Sequence, residues 1–169
     1  DPFTNLTMGR ANLLSGNVEG AQSWFERSAS LSPNYAFAKY NLGFASMLCD
    51  NSASCIENID SALLLSPLDP LKYAMLSARG IDRLARGDYE AASRYCSQGA
   101  NEPNSHIHIH TLAAVASHLA GNDAAAKSWA DMVNKVKYEN YREQFFRNFP
   151  FREVETCKIV EAAMRKLSI

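Results

Sequence analysis

Three histidines separated by single residues, His106, His108 and His110, are the first place in this sequence to look for chemistry. Imidazoles at i and i+4 share a helix face, so on a helix His106 and His110 would offer at most two metal ligands while His108 points elsewhere. No Asp, Glu or Cys stands near them in sequence to complete a set, although Cys96 could approach in three dimensions. The pattern favours histidines that face solvent or line a groove, and no metal is expected. The cysteines, Cys49, Cys55, Cys96 and Cys157, form no Cys-x-x-Cys pair. They read as buried thiols, with Cys49 and Cys55 close enough in sequence to leave a disulfide open, and their sparse number suits a reducing, cytoplasmic compartment. The stretch from Lys135 to Arg152 interleaves Lys135, Lys137, Arg142, Arg147 and Arg152 with Tyr138, Tyr141, Phe145, Phe146, Phe149 and Phe151. Such a mixture can stack on nucleic acid. The aromatics recur at helical spacing, however, which favours a packed cap with a charged, solvated face. There is no Ser/His/Asp signature, no phosphate-binding G-x-x-x-x-G-K-[ST] loop and no G-x-G-x-x-G, so neither catalysis nor a cofactor is expected.

The bulk properties exclude more classes. A formal charge of −1 over 169 residues and a sequence pI near 6.5 provide no single-signed field to attract nucleic acid or an anionic membrane. The longest apolar runs, such as Ala62 to Leu65, fall far short of the roughly 20 residues a membrane helix needs. The opening DPFTNLTMGR has neither an initiator Met nor the build of a signal peptide, and reads as the start of an excised fragment.

Chemistry-bearing residues need elements to position them, and those elements repeat. Leu6 to Pro33 superimposes on Tyr40 to Pro67 at a spacing of 34, with Gly9 on Gly43, Ala21 on Cys55, Phe25 on Ile59, Leu31 on Leu65 and Pro33 on Pro67. A third unit places Gly80, Gly87 and Ala92 a further 37 residues on, three residues having been inserted before or within its first helix. The fourth places Ala114, Gly121 and Ala126 after another 34. Within units, apolar residues recur at helical spacing, as at Leu42, Ala45 and Leu48, or Ile56, Ile59, Ala62 and Leu63. Prolines at 33, 67, 70 and 103 end helices, and Gly16-Asn17, Gly87-Asp88 and Gly121-Asn122 supply tight turns. The result is a helical hairpin every 34 residues, with small residues where its two helices approach.

This pattern resembles the tetratricopeptide repeat, which has a period of about 34, two small sites, a turn glycine and a closing proline. The resemblance covers Pro2 to Asn134. Asp50 replaces the turn glycine of unit two, Arg79 stands where a leucine is usual, and unit four lacks the closing proline. It implies an all-α, TPR-like α-solenoid of antiparallel hairpins: about four repeats within residues 1–134 (about 2–35, 36–69, 70–103 and 104–137), followed over 135–169 by C-terminal capping helices. The capping segment reads as a short helix from Tyr138 to Asn148, a break at Phe149-Pro150 and a last amphipathic helix from Arg152 to Leu167.

In that family the first helices of successive units line a concave binding groove. The matching positions are Leu6, Arg10 and Leu13 in unit one, Phe37, Tyr40, Asn41, Phe44 and Met47 in unit two, Ser77 and Ile81 in unit three, and His108, Thr111 and Val115 in unit four. The large aromatics among them suit packing between units as well as a groove. Of the clamp that one subfamily uses to grip a C-terminal carboxylate only Asn41 matches, with Leu6, Arg10, Ala74 and Ala78 at the other positions. The implied partner is a protein or peptide of apolar or amphipathic character, or another domain of the same protein. A fainter resemblance, carried by Leu65-Ser66-Pro67-Leu68-Asp69-Pro70 and Phe149-Pro150-Phe151-Arg152, is to the C-terminal repeat regions of bacterial transcriptional regulators with a winged helix and of adenylate cyclases. It implies a regulatory module in signal transduction or transcription. Small-molecule sensing and self-association as a homo-oligomer are the rival expectations.

Overall fold

The computed structural model describes residues 1–136, 139–149, 151 and 154–169. Its helices are α1 (Pro2–Leu14), α2 (Val18–Leu31), α3 (Ala36–Leu48), α4 (Ser52–Leu65), α5 (Lys72–Ala85), α6 (Tyr89–Asn101), α7 (Ile107–Leu119), α8 (Asp123–Asn134), α9 (Tyr141–Asn148) and α10 (Val154–Lys166), with no strand among the described residues. The expected starts of the last two helices at Tyr138 and Arg152, with Lys137 and the break residue Pro150, lie outside them. Each odd helix from α1 to α7 packs antiparallel on the even helix that follows, and α2 meets α3, α4 meets α5 and α6 meets α7. The first helices also lie side by side, α1 against α3, α3 against α5 and α5 against α7, which aligns them along one face of the stack. This is the expected stack of hairpins.

The same local chemistry builds each inter-helix turn. Gly16, Gly87 and Gly121 stand at φ of 82°, 73° and 77°, a left-handed conformation that costs a side chain free energy. At the corresponding place in unit two Asp50 adopts φ 58°, so the departure from glycine is accommodated by a residue type that tolerates this region. The next residue caps the second helix: Asn17, Asn51, Asp88 and Asn122 accept from the amides of Gly20, Ser54, Ala91 and Ala125.

The small sites act through a partner that the spacing does not reveal. Ala21, Cys55, Ala92 and Ala126 are fully buried, but a Cβ on Gly9 would collide with the Phe25 ring and one on Gly80 with Cys96 Sγ. At Gly43 it would come within 2.8 Å of Ile59 Cγ1 and 3.1 Å of the Cys55 carbonyl oxygen. The larger side chain one turn beyond the small site therefore fills the space that glycine leaves. The insertion of unit three also finds its place. Two of the three residues lengthen the loop before α5, Ser66 to Leu71 against Ser32 to Tyr35 in the preceding unit, and the third starts α5 one residue earlier, so that α5 stays unbroken.

Units are stitched by polar contacts as well as by the core. Ser52 Oγ donates to the buried Asp82 carboxylate at 2.9 Å, which also holds Arg86, and Ser93 and Ser117 share a hydrogen bond of 3.0 Å. Arg79, at the usual leucine position, pairs with Asp60 at 2.8 Å and lies over the Tyr95 ring at 4.4 Å. The pairing is through Nη1, while its buried Nε has no hydrogen-bond partner among the described residues.

Candidate functional site

On the face of first helices, a pocket of about 330 Å³ opens between Tyr40 and Phe44 of α3, Tyr73, Ser77 and Ile81 of α5, and His106, His108 and Ile109 at the start of α7. Asn148 and Phe149, at the end of α9, close its far side. The rim in unit two is a line of aromatic rings: Phe37 stacks on Tyr40 with centroids 6.1 Å apart, Tyr40 meets Phe44 at 6.3 Å, and the Arg10 guanidinium lies 5.3 Å from the Phe37 ring centre. Burial, and then the neighbouring Tyr73 phenol, push the Tyr40 phenol above its usual range, so it remains a neutral donor.

The predicted groove residues fall into two groups. Leu6, Ser77, Ile81, Thr111 and Val115 are buried in the packing between helices, and of these Ser77 and Ile81 line the pocket. Asn41 is also buried, its Nδ2 donating to the Phe37 carbonyl at 2.7 Å, which spends the group that matched the carboxylate clamp on the helix itself. Leu13 packs against the core of units one and two, and Met47 against those of units two to four. Arg10 is exposed, and Phe37, Tyr40 and Phe44 are half-buried.

In unit four the chain itself occupies the face. His108, with 9% of its surface exposed, accepts at Nε2 from Asn148 Nδ2 (2.9 Å), and its Nδ1 lies 3.0 Å from the Tyr141 hydroxyl. A ring that accepts at Nε2 while neutral must carry its proton on Nδ1. It therefore donates to the Tyr141 oxygen, and the Tyr141 hydroxyl donates onward to Thr111 Oγ1 at 2.6 Å. Around this chain of hydrogen bonds pack Phe145, fully buried, and Phe149, both edge-on to the imidazole at 5.8 Å and 6.0 Å. Burial, and then the nearby His106, pull His108 down to about 4, so it is neutral at physiological pH. Further along the face, Val160, Ala163 and Met164 of α10 join the core of α7, and Glu155, Thr156 and Ile159 line a second, smaller pocket with Leu84 and Ala85 of α5.

The histidine geometry corrects one expectation. His106 is not on the helix with His110 but is the N-cap of α7, its Nδ1 accepting from the His108 amide. Its ring lies 4.6 Å from that of His108, while His110 packs on Trp129 at 5.6 Å. The i,i+4 pair does not form because the chain enters α7 in an extended conformation at His106. Among the described residues no group of three His, Cys, Asp or Glu side chains is placed to hold a metal. Burial raises the thiols of Cys55 and Cys96 to about 12, which leaves them protonated and unreactive, and Cys49 and Cys55 are not bridged. No described helix is long and apolar enough to cross a membrane.

Sequence reasoning missed Tyr73, Asn148 and the contact of Tyr141 and Phe145 with α7. The one available signal was the spacing of Tyr141, Phe145 and Phe149, which marked a packed face without saying what it packs against.

No family profile matches this chain, and no curated protein matches it. Among solved structures it resembles a mutant O-GlcNAc transferase from Thermobaculum terrenum, with a TM-score of 0.70 at 18% identity over 79% of this chain. The chain spans only 26% of the transferase. It also resembles MamA, with a TM-score of 0.65 at 14% identity, over 95% of this chain and 96% of that one. At these identities the likeness concerns the fold, and with the hairpin stack described above it makes this chain a TPR-like α-solenoid.

Proposed function

We propose that this chain is a protein-interaction module whose face of first helices receives an apolar or amphipathic segment of a partner protein or of another domain of the same protein. The observation that carries this reading is the open, aromatic pocket bounded by Tyr40, Phe44 and Tyr73. Aromatic rings in such a position bury large apolar area at small conformational cost, which is why they dominate binding energies at interfaces. Repeats of this kind form extended surfaces rather than reaction centres, and we assign the chain no catalytic role. The fainter sequence resemblance supports a setting in a bacterial regulatory protein, a transcriptional regulator or cyclase in the cytoplasm, where the guest would bias an attached effector.

The test is affinity capture with the intact chain and with a Tyr40→Ala, Phe44→Ala double variant. Partners retained by the intact chain should be lost from the variant, and equal recovery would refute the reading. A small-molecule sensor is the second reading, favoured by a pocket volume at the low end for ligand sites and by the imidazoles and amide on its walls. A saturable rise in melting temperature with a metabolite would select it.

A further inference from the structure

We infer that α9 is a built-in stand-in for the partner: the face of first helices recognises a short amphipathic helix from another protein, with aromatic residues at i and i+4 and a side-chain amide at i+7, and α9 yields its place to that helix. The inference rests on the interaction module proposed above and specifies its guest. Its basis is the juxtaposition of Tyr141, Phe145 and Asn148 on α9 with His108 and Thr111 on α7.

The recognition chemistry is visible in the occupied state. One helix face brings a phenol, a phenyl ring and an amide to α7, at the offsets that a helix places on one side. Both His108 nitrogens and the Thr111 hydroxyl are satisfied by α9. Vacating the site opens the His108 nitrogens to water and leaves Thr111 its bond to the Ile107 carbonyl, but a guest that covered His108 without matching groups would bury those nitrogens unpaired, at a cost of about 1–3 kcal/mol each. A guest without the same donors and acceptors could not take over.

The hold on α9 is weak by construction. Isolated helices of this length are not stable in water, and α9 starts from Asn140 at φ 55° with no side-chain cap, unlike α2, α4, α6 and α8. Of its own residues only Phe145 is buried. Such elements open at free energies well below global unfolding. The guest also has something to gain that α9 lacks, because the pocket between Tyr40, Phe44 and Tyr73 continues from Asn148 and Phe149 and stands open. A helix longer than α9 by a turn would bury a further apolar side chain there, which offsets the advantage that tethering gives α9.

The probe is a fluorescein-labelled, amidated peptide of this chain's own residues Glu139 to Phe149, titrated by anisotropy against three forms of the full-length chain. The wild type has its site filled from within, so it should bind the peptide about tenfold or more weakly than a Phe145→Ala variant, whose α9 is released. A Tyr141→Phe, Asn148→Ala variant removes the hydrogen bonds to α7 but keeps the aromatic rings of α9, and guards against a folding defect in the first. It should gain affinity as well, and adding His108→Ala should abolish binding in either background. Equal binding by wild type and released variants, or no binding by a released variant that keeps its far-UV circular dichroism, would overturn the inference. Native-state hydrogen exchange of the wild type is an independent check. The α9 amides should exchange far faster than those of α7, and exchange of both only through global unfolding would also overturn it. Failure here would leave the Tyr40 and Phe44 capture test standing, so the two ideas can fall separately.

Discussion

The imidazole of His108 accepts from Asn148 at one nitrogen and donates to Tyr141 at the other, so a second ring proton would face the amide that already donates there. The sign of the pH effect follows. Its folded-state value of about 4 lies below the ordinary 6.5, so the stabilisation is complete above about 6.5 and is lost as pH falls toward 4. The group acting on it electrostatically is His106, which opposes protonation, and the group facing it from α9 is the Tyr141 hydroxyl. Urea unfolding at pH 7.5 and 4.5 should show a loss of up to about 3 kcal/mol from this site. His108→Gln should lack that part of the pH dependence while keeping the background shared with other groups, and an identical slope in both proteins would remove His108 from the account.

At the scale of helices, the hairpin was legible because its determinants lie close in sequence. Turn glycine, Asx cap and small site recur every 34 or 37 residues, and each acts within its own unit. Gly43→Leu would drive a branched side chain into Ile59 and the Cys55 carbonyl, and should cost about 3 kcal/mol in urea titrations. Asn122→Ala should cost about 1 kcal/mol by freeing the Ala125 amide at the start of α8. What could not be read is the part made by distance. Asn148 meets His108 across 40 residues and Tyr141 meets Thr111 across 30, and neither separation belongs to the repeat period. His106 was misplaced for a local reason, because an imidazole that caps a helix leaves the same sequence trace as one inside it. The groove list was divided by packing: periodicity groups residues by helix face but does not distinguish one buried between helices, such as Val115, from one left half-exposed at the pocket, such as Phe44.

Across residues 1–169 the first and fourth hairpins are packed differently. The final hairpin carries α9 and α10 folded back on α7, whereas α1 has one side bare. Met8 and Leu14 are 42% and 87% exposed, yet their counterparts one period later, Leu42 and Leu48, are 7% and 8% exposed. In a quasi-one-dimensional stack each unit is held by its neighbours, so a unit with one neighbour is the least secured. For the 169-residue chain by itself, melting of the four hairpins should thus have a direction, from α1–α2 toward α7–α8, whether or not α9 opens beforehand. The first and the fourth hairpins each carry a fluorophore, Trp24 in α2 and Trp129 in α8. Variants retaining one indole each should report unfolding at different urea concentrations, that of Trp24 lower, and superimposable curves would mean the stack melts as a single cooperative block.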